Sequence, residues 1–344
     1  MVAPLFDALP EPAADHPMSS QPLSVLMIST KLDPHVDAVL ERLEGRGVPC
    51  FRLNTDHFHE EYRVTMTDEP GGTIRIDDKW GRACLFPQGL RSVWMRKPEP
   101  SLPPPGVEDE GVVNYVRDEM RELMGFLPMD GRVPWINNPD DNRRHQRKFP
   151  QLRLARSLGL RVPRSIITND PEQAGAFFKT CPDGVICKPM LMGSHYVEGE
   201  HHVAYTRPVP PSEFAALKGS ISLCPTYLQE AIAKDYELRV TIIGDALFCC
   251  RIDSQGVSGA EQDWRAVDTI KLPHRIVPLP ERIDRALRDY LRRCGLRFGA
   301  FDLIVTPEGD YVFLELNPNG QWYWIELATG APMADAMARL LENP

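Results

Sequence analysis

Residues 23–30 (LSVLMIST) form an apolar, strand-like run followed by Asp33 and Pro34. Val36, Val39, Leu40 and Leu43 then recur at helical spacing until Gly45 and Gly47 end the pattern. Residues 48–53 return as a strand, so the pattern predicts an opening β-α-β unit. Segments 62–67 and 73–77 alternate around Pro70-Gly71-Gly72 and predict a hairpin. Residues 92–96 (SVWMR) predict a further strand. Val112, Val113, Val116, Met120, Leu123, Met124 and Leu127 trace one face of a helix over 108–127. A first domain closes near residue 134.

After Pro139, a helix with Phe149, Leu152, Ala155 and Leu158 on its apolar face is ended by Gly159 and Pro163. Strands over 165–168 and 184–188 flank a short helix over 171–178. Residues 192–202 are polar and carry few structure-forming signals. Residues 226–231, 237–243 and 246–252 predict an antiparallel set, the last two joined by the hairpin signature Gly244-Asp245. Ile283, Ala286, Leu287, Tyr290 and Leu291 mark an amphipathic helix. Strands over 299–306 and 311–317 follow, and a helix carrying Met333, Met337, Leu340 and Leu341 closes the chain. The class is α/β (α+β), with no internal repeat.

The 344 residues allow two or three domains, and 39 basic against 48 acidic side chains give a net charge of −9. That acidic balance argues against general nucleic-acid binding, which needs clustered positive charge. No apolar run approaches the roughly 20 residues of a membrane helix. Residues 1–22 are rich in Pro, Ala, Asp and Ser and read as a disordered lead-in. Residues 1–30 hold no Lys or Arg, so the basic start of a secretory signal is missing. Eight cysteines without a C-x-x-C spacing point to reduced thiols in a cytoplasmic protein, with Cys249 and Cys250 as small buried hydrophobes.

The most informative stretch is FGAFDLIVTPEGDYVFLELNPNGQW, residues 298–322. If residues 307–310 are the whole turn, Thr306 faces Tyr311, and counting back puts Asp302 opposite Glu315. Asn317 shares their face, because side chains alternate with period two. The other face, Phe301, Leu303, Val305, Val312, Leu314 and Leu316, is expected in the core. Like charges opposed across strands repel, so a positive group belongs between them. Hard oxygen ligands, few in number, suit Mg²⁺ that shares its remaining positions with water and phosphate oxygens.

A metal-bound triphosphate needs fixed cations. Lys188 ends a buried strand, where an unpaired ammonium is costly unless an anion meets it. Lys148 begins the helix segment described above. In residues 227–245 (YLQEAIAKDYELRVTIIGD), Gln229, Glu230 and the backbone through Ala231 and Ile232 offer alternating donors and acceptors for an adenine edge. Glu237 and Arg239, two apart and on one face, suit a ribose hydroxyl and a phosphate; a simple Glu–Arg ion pair is the alternative.

K-x-x-Q-L at 148–152, the lysine of VICKP, E-x-R in YELRV and F-D…E-x-N together resemble the ATP-grasp fold. WINNP (135–139), KFPQLRLARSLGLRVPRSIITND (148–170), DWR (263–265) and LELNPNGQW (314–322) resemble one branch of it, the ribosomal-peptide maturases called graspetide synthetases, which include the microviridin-type ligases. The likeness is specific over residues 135–330 and looser over 24–97, where SVWMRKP is the main echo.

The resemblance implies an N-terminal pre-ATP-grasp α/β domain over 23–134, a central subdomain over 135–225 and a C-terminal subdomain over 226–344, with ATP held between two sheets. Lys148 and Lys188 would contact phosphates, Gln229, Glu230, Ala231 and Ile232 the adenine, and Glu237 the ribose. Arg239 would contact the transferring phosphate, and Asp302, Glu315 and Asn317 would bind Mg²⁺. The loop after Lys188 has fewer glycines than the phosphate-covering loop of many ATP-grasp enzymes.

The implied activity is ADP-forming carboxylate–amine or carboxylate–alcohol ligation. An Asp or Glu side chain of a ribosomal precursor peptide becomes an acyl phosphate, then forms an intramolecular ester with Ser or Thr or an amide with Lys. The expected partner is a precursor with a leader segment, with no nucleic acid and no membrane, and the enzyme would be a homodimer. Arg265 of DWR would bind the substrate carboxylate beside Trp264. Residues 192–202 are the candidate closing loop, in which His195, His201 and His202 offer a base or stand merely exposed. RRHQRK (143–148) and Arg96-Lys97 are local basic clusters for an acidic peptide. Two other readings stay open: an ATP-grasp ligase acting on a small molecule or protein tail, and a nucleotide- or peptide-binding protein without ligase activity.

Overall fold

The computed structural model describes residues 24–68, 72–100, 103, 106–190, 193–197, 200–204, 206–257 and 272–344. The expectations for residues 1–22 and for Trp264 and Arg265 lie outside the described residues. Two compact units are present: one runs up to Pro139 and includes Ala334–Pro344, the other is Asp140–Met333.

In the first unit β1 (Val25–Ser29), α1 (Pro34–Glu44) and β2 (Cys50–Asn54) form the expected β-α-β unit. Asp33 caps α1 by accepting from the His35 amide at 3.0 Å, and Pro34 occupies the first turn. After α2 (Phe58–Glu61) come β3 (Tyr62–Met66), β4 (Ile74–Asp78), β5 (Ala83–Phe86), β6 (Ser92–Met95) and α3 (Glu110–Phe126). The parallel sheet runs β2-β1-β6, and β3-β4-β5 is a separate meander. A last helix, Met333–Glu342, belongs here too: Ser92 Oγ donates to Leu341 O at 2.7 Å in the interior.

The second unit begins with α4 (Pro139–His145) and α5 (Lys148–Ser157), two helices where the pattern predicts one. Next come β7 (Ser165–Thr168), α6 (Pro171–Lys179), β8 (Val185–Lys188), β9 (Gly193–Val197), β10 (Glu200–Ala204), β11 (Arg207–Val209) and α7 (Pro211–Leu223). The unit ends with β12 (Thr226–Glu230), β13 (Tyr236–Ile243), β14 (Ala246–Ile252), β15 (His274–Ile276), α8 (Glu281–Arg293), β16 (Phe298–Val305), β17 (Tyr311–Asn317) and α9 (Tyr323–Thr329).

Three sheets result, ordered β11-β8-β12-β7, β15-β14-β13-β16-β17 and β10-β9. β12 therefore does not join β13 and β14 as the sequence pattern predicts. The connection over 231–235 lets it pair with β7 and β8 instead. The polar stretch after Lys188 is not an irregular loop but the antiparallel β9/β10 ribbon, in which His195 and His202 are register partners.

The core of this unit lies on one face of the five-stranded sheet. Leu152 and Ala155 of α5 and Leu287, Tyr290 and Leu291 of α8 pack there against Phe301, Leu303, Phe313 and Leu316. Tyr290 stacks on Phe313 with ring centroids 5.6 Å apart and meets Phe301 edge-on. Each such side chain contributes about 1.5–3 kcal/mol of burial. That layer fixes the sheet and leaves its opposite face for chemistry.

Candidate active site

Period-two alternation sends the core residues of β13, β16 and β17 one way and a row of polar residues the other. Arg239 of β13 is the register partner of Asp302 on β16, which is in turn the partner of Glu315 on β17. Glu237 lies two residues before Arg239 on the same face. All four are buried, although buried charge is tolerated only when paired.

The pairing of Asp302 with Glu315 is as expected, but its origin is not. Tyr311 faces Val305, not Thr306, so the strands leave the turn one residue out of the predicted register. The register then shifts between Asp302 and Leu303, a bulge that restores the opposition of the two carboxylates. As a consequence Phe313 joins the core beneath α5 and α8, Val312 is fully buried as expected, and Leu314 lines the cleft described below.

Each of these carboxylates meets a cation of its own. Arg239 Nη1 donates to Asp302 Oδ1 at 2.8 Å, and Lys148 Nζ stands 3.5 Å from Glu315 Oε2. Asn317 Nδ2 donates to the other Asp302 oxygen at 3.1 Å, which ties two of the three expected metal ligands together, with Glu315 the register partner of Asp302. Lys148 Nζ also donates to Pro189 O at 3.2 Å, just beyond the end of β8. Among the described residues no three His, Cys, Asp or Glu side chains gather as a metal group. The acidic hairpin offers two carboxylates and an amide, a small hard-oxygen set of the kind that leaves positions for water and phosphate.

A cleft of about 330 Å³ opens over this face, between the four-stranded and five-stranded sheets of the unit. Lys148, Lys188, Asp302 and Glu315 line it, as do Gln229, Glu230, Ala231, Ile232 and Glu237. Gln229 is held by donation from its Nε2 to Ser165 Oγ at 2.9 Å and to the Tyr227 hydroxyl at 3.0 Å. Its Oε1 is a buried acceptor without a hydrogen-bond donor among the described residues, and the buried Glu237 Oε2 has no donor in bonding geometry, the Ser254 hydroxyl being its neighbour. Orphaned acceptors of this kind are costly in isolation and mark positions where a ligand donor fits.

Glu230 enters the site differently from the expectation. Its side chain is clamped by Arg164, Nη2 to Oε1 at 3.0 Å and Nε to Oε2 at 3.2 Å, which holds its carboxyl below the usual range. The Glu230 amide donates to Arg164 O and the Ala231 amide to Gly184 O. The Ile232 amide takes no part in these bonds.

Sequence reasoning missed Lys234. It lines the cleft, is almost wholly buried, and donates from Nζ to Glu237 Oε1 at 2.7 Å. Burial pushes the Glu237 carboxyl up from its ordinary value, and the Lys234 ammonium opposes that rise. A lysine three residues before a candidate ribose ligand was the available signal. The basic clusters read for an acidic peptide fare less well. Arg96 is only 2% exposed, and Arg143 and Arg144 are paired with Asp140 and Asp141 along α4.

Comparison with known proteins places this geometry in a family context. Residues 24–143 match the model described as the MvdD pre-ATP grasp domain. The macrocyclase MdnC of Microcystis aeruginosa MRC, solved with its precursor peptide MdnA, is 27% identical with a TM-score of 0.82, over 94% of this chain and 100% of that one. A RiPP-associated ATP-grasp ligase of Chryseobacterium gregarium, solved with ADP and a leader and core peptide, is 26% identical with a TM-score of 0.84, over 93% and 96%. The ATP-grasp ligase PsnB, solved with a phosphomimetic variant of its minimal precursor, Mg and ADP, shares the fold at 23% identity and a TM-score of 0.71, over 93% and 98%. A search of curated proteins returns no match. The ATP-grasp fold and the resemblance to the graspetide synthetases are borne out by these findings.

Proposed function

We propose that this chain, an ATP-grasp ligase of the graspetide-synthetase kind, macrocyclises a ribosomal precursor peptide through ADP-forming activation of its Asp or Glu side chains. One observation carries the reading: Asp302, to which Asn317 is hydrogen-bonded, and Glu315 face a cleft that also holds the buried acceptors of Gln229 and Glu237. Gln229 Oε1 would accept from the exocyclic amine of adenine, the Ile232 amide would meet its ring edge, and Glu237 Oε2 would accept from the ribose. Lys148 and Lys188 would hold phosphates, and Arg239 would meet the one transferred. Asp302, Glu315 and the amide oxygen of Asn317 would hold Mg²⁺, which supplies charge neutralisation for the transferring phosphoryl group.

The chemistry asks no covalent help from the protein. A substrate carboxylate oxygen attacks the γ-phosphorus, the bond to the β-phosphate oxygen breaks, and ADP leaves. A Ser or Thr hydroxyl or a Lys amine then attacks the acyl carbon, loses its proton, and displaces phosphate. Lys148, Lys188 and Arg239 position the groups and balance charge, which is where such catalysis resides. The β9/β10 ribbon is the proposed cover that keeps water from the acyl phosphate. Arg265, read from its motif, is proposed to hold the reacting carboxylate. A leader segment docked away from the cleft raises the local concentration of the core.

We assign the enzyme to the cytoplasm as a homodimer, with neither nucleic acid nor membrane as partner. No described helix is long and apolar enough to cross a membrane, and all eight cysteines are free thiols. The test is mass spectrometry of a neighbouring acidic, Ser/Thr/Lys-containing peptide incubated with enzyme and ATP. One water lost per crosslink, matched by one ADP, is expected. ADP release that requires a free amino acid and ignores a leader-bearing peptide would contradict the assignment.

A further inference from the structure

The K-x-x-Q-L motif contains a residue to which the proposed reaction gives no part. Gln151, three residues after Lys148 on α5, is only 3% exposed and is not among the residues that line the cleft. Its Nε2 donates to Leu316 O at 2.7 Å, and its Oε1 accepts from Leu316 N at 2.9 Å. The same Nε2 donates to His145 O at 2.6 Å, at the end of α4. β17 is the edge strand of its sheet, so the outward amide and carbonyl of Leu316 have no neighbouring strand to meet. A primary amide presents one donor and one acceptor in the spacing of a peptide, and Gln151 therefore pairs with this edge as a strand would.

Leu316 lies between Glu315 and Asn317. Its N–H belongs to the peptide plane that leaves Glu315 and its C=O to the plane that enters Asn317. Pinning both planes fixes the directions in which the two ligand side chains leave the backbone. One helical turn away on the same face, Lys148 is 3.5 Å from Glu315. We propose that Gln151 is a positioning residue that locks the metal-carrying strand in register with the phosphate-binding lysine. This inference rests on the reading of Asp302, Glu315 and Asn317 as Mg²⁺ ligands. Leu in its place would fill the space yet strand two buried backbone groups. Glu would keep the acceptor for Leu316 N–H and lose both donations.

The experiment titrates Mg²⁺ into the full chain with a fluorescent ATP analogue, reading half-saturation and melting temperature for wild type, Gln151→Leu, Gln151→Glu and Leu152→Ala. Leu152 is a core residue of the same helix, so Leu152→Ala reports destabilisation alone. Groups that orient metal ligands typically tune affinity by about 10–100-fold. Both Gln151 variants are expected to raise half-saturating Mg²⁺ about 10-fold, while Leu152→Ala stays within about two-fold. Gln151 variants within two-fold of wild type, or an equal shift in Leu152→Ala, would overturn the proposal. Should Gln151→Leu fail to fold, hydrogen exchange at the Leu316 amide decides with Gln151→Ala, which removes the acceptor: slow in wild type and faster in Gln151→Ala supports it, while an amide unprotected in wild type or equally slow in both refutes it. A wild type without Mg²⁺-dependent nucleotide binding would instead sink the functional reading beneath it.

Discussion

A Cβ placed on Gly320 would stand 2.6 Å from Nη2 of Arg239 and 2.7 Å from the Cβ of Ala300. Arg239 runs over this glycine to reach Asp302 and donates from Nη2 to Gln321 O at 3.1 Å. The guanidinium can shift to relieve such a clash, whereas Ala300 is fixed in β16. Gly320→Ala is therefore expected to displace Arg239 from Asp302 and to cost about 1–3 kcal/mol of stability through overpacking. Turnover should drop on the order of 100-fold, with the KM for ATP changing less, because a misplaced donor to the transferring group is felt in the transition state. Steady-state ADP release together with a thermal melt checks both parts, and an unchanged kcat would remove Arg239 from the reaction.

Glu315→Ala is expected to abolish turnover, by on the order of 1,000-fold or more, while leaving the fold intact. Removing one of two opposed carboxylates relieves repulsion with Asp302, so the melting temperature should hold or rise. Persistent ligation in this variant would refute the metal assignment.

Lys234 and Glu237 form a buried pair at the ribose end of the cleft. Lys234→Met leaves an uncompensated buried carboxylate, and breaking such a pair costs about 3 kcal/mol at neutral pH. The sign with pH follows from the direction of the shift. Burial raises Glu237 above its ordinary 4.5, so the native state holds that proton more tightly than the unfolded chain. The penalty is full above the raised value and disappears as pH falls to about 4.5. Denaturant melts across that window should show the deficit of Lys234→Met shrinking as acid is added. Affinity for ATP should decline at a higher pH in the variant than in wild type. A pH-independent deficit would contradict the account.

How far the sequence led is seen most clearly at the acidic hairpin. Alternation of period two put Asp302, Glu315 and Asn317 on one face, and the structure opposes Asp302 to Glu315 and bonds it to Asn317. The count that opposed Asp302 to Glu315 began from the wrong turn pair, and the bulge near Leu314 compensated for it. A bulge depends on packing across the sheet, which a local pattern does not encode.

The same limit explains the other misses. β12 carries an ordinary strand signal, but its partners β7 and β8 lie far along the chain. In α7, by contrast, Phe214, Leu217 and Ile221 do share one face and pack against Val185 and Leu228, a helical spacing that the reading of the sequence passed over. The side chain of Glu230 pairs with Arg164, a non-local contact that no local pattern encodes. Gln151 was visible as a letter in a motif, and its part emerged only once Leu316 was found beside it.

The central claim, that Asp302, Glu315 and Asn317 carry the metal of a bound nucleotide, is tested most directly by anomalous diffraction from crystals grown with Mn²⁺ and ADP. The account predicts an anomalous peak within bonding distance, about 2.1 Å, of carboxylate oxygens of Asp302 and Glu315, with the Asn317 amide oxygen turned toward it. A nucleotide-associated peak elsewhere, with these three side chains making no bond to it, would contradict the account.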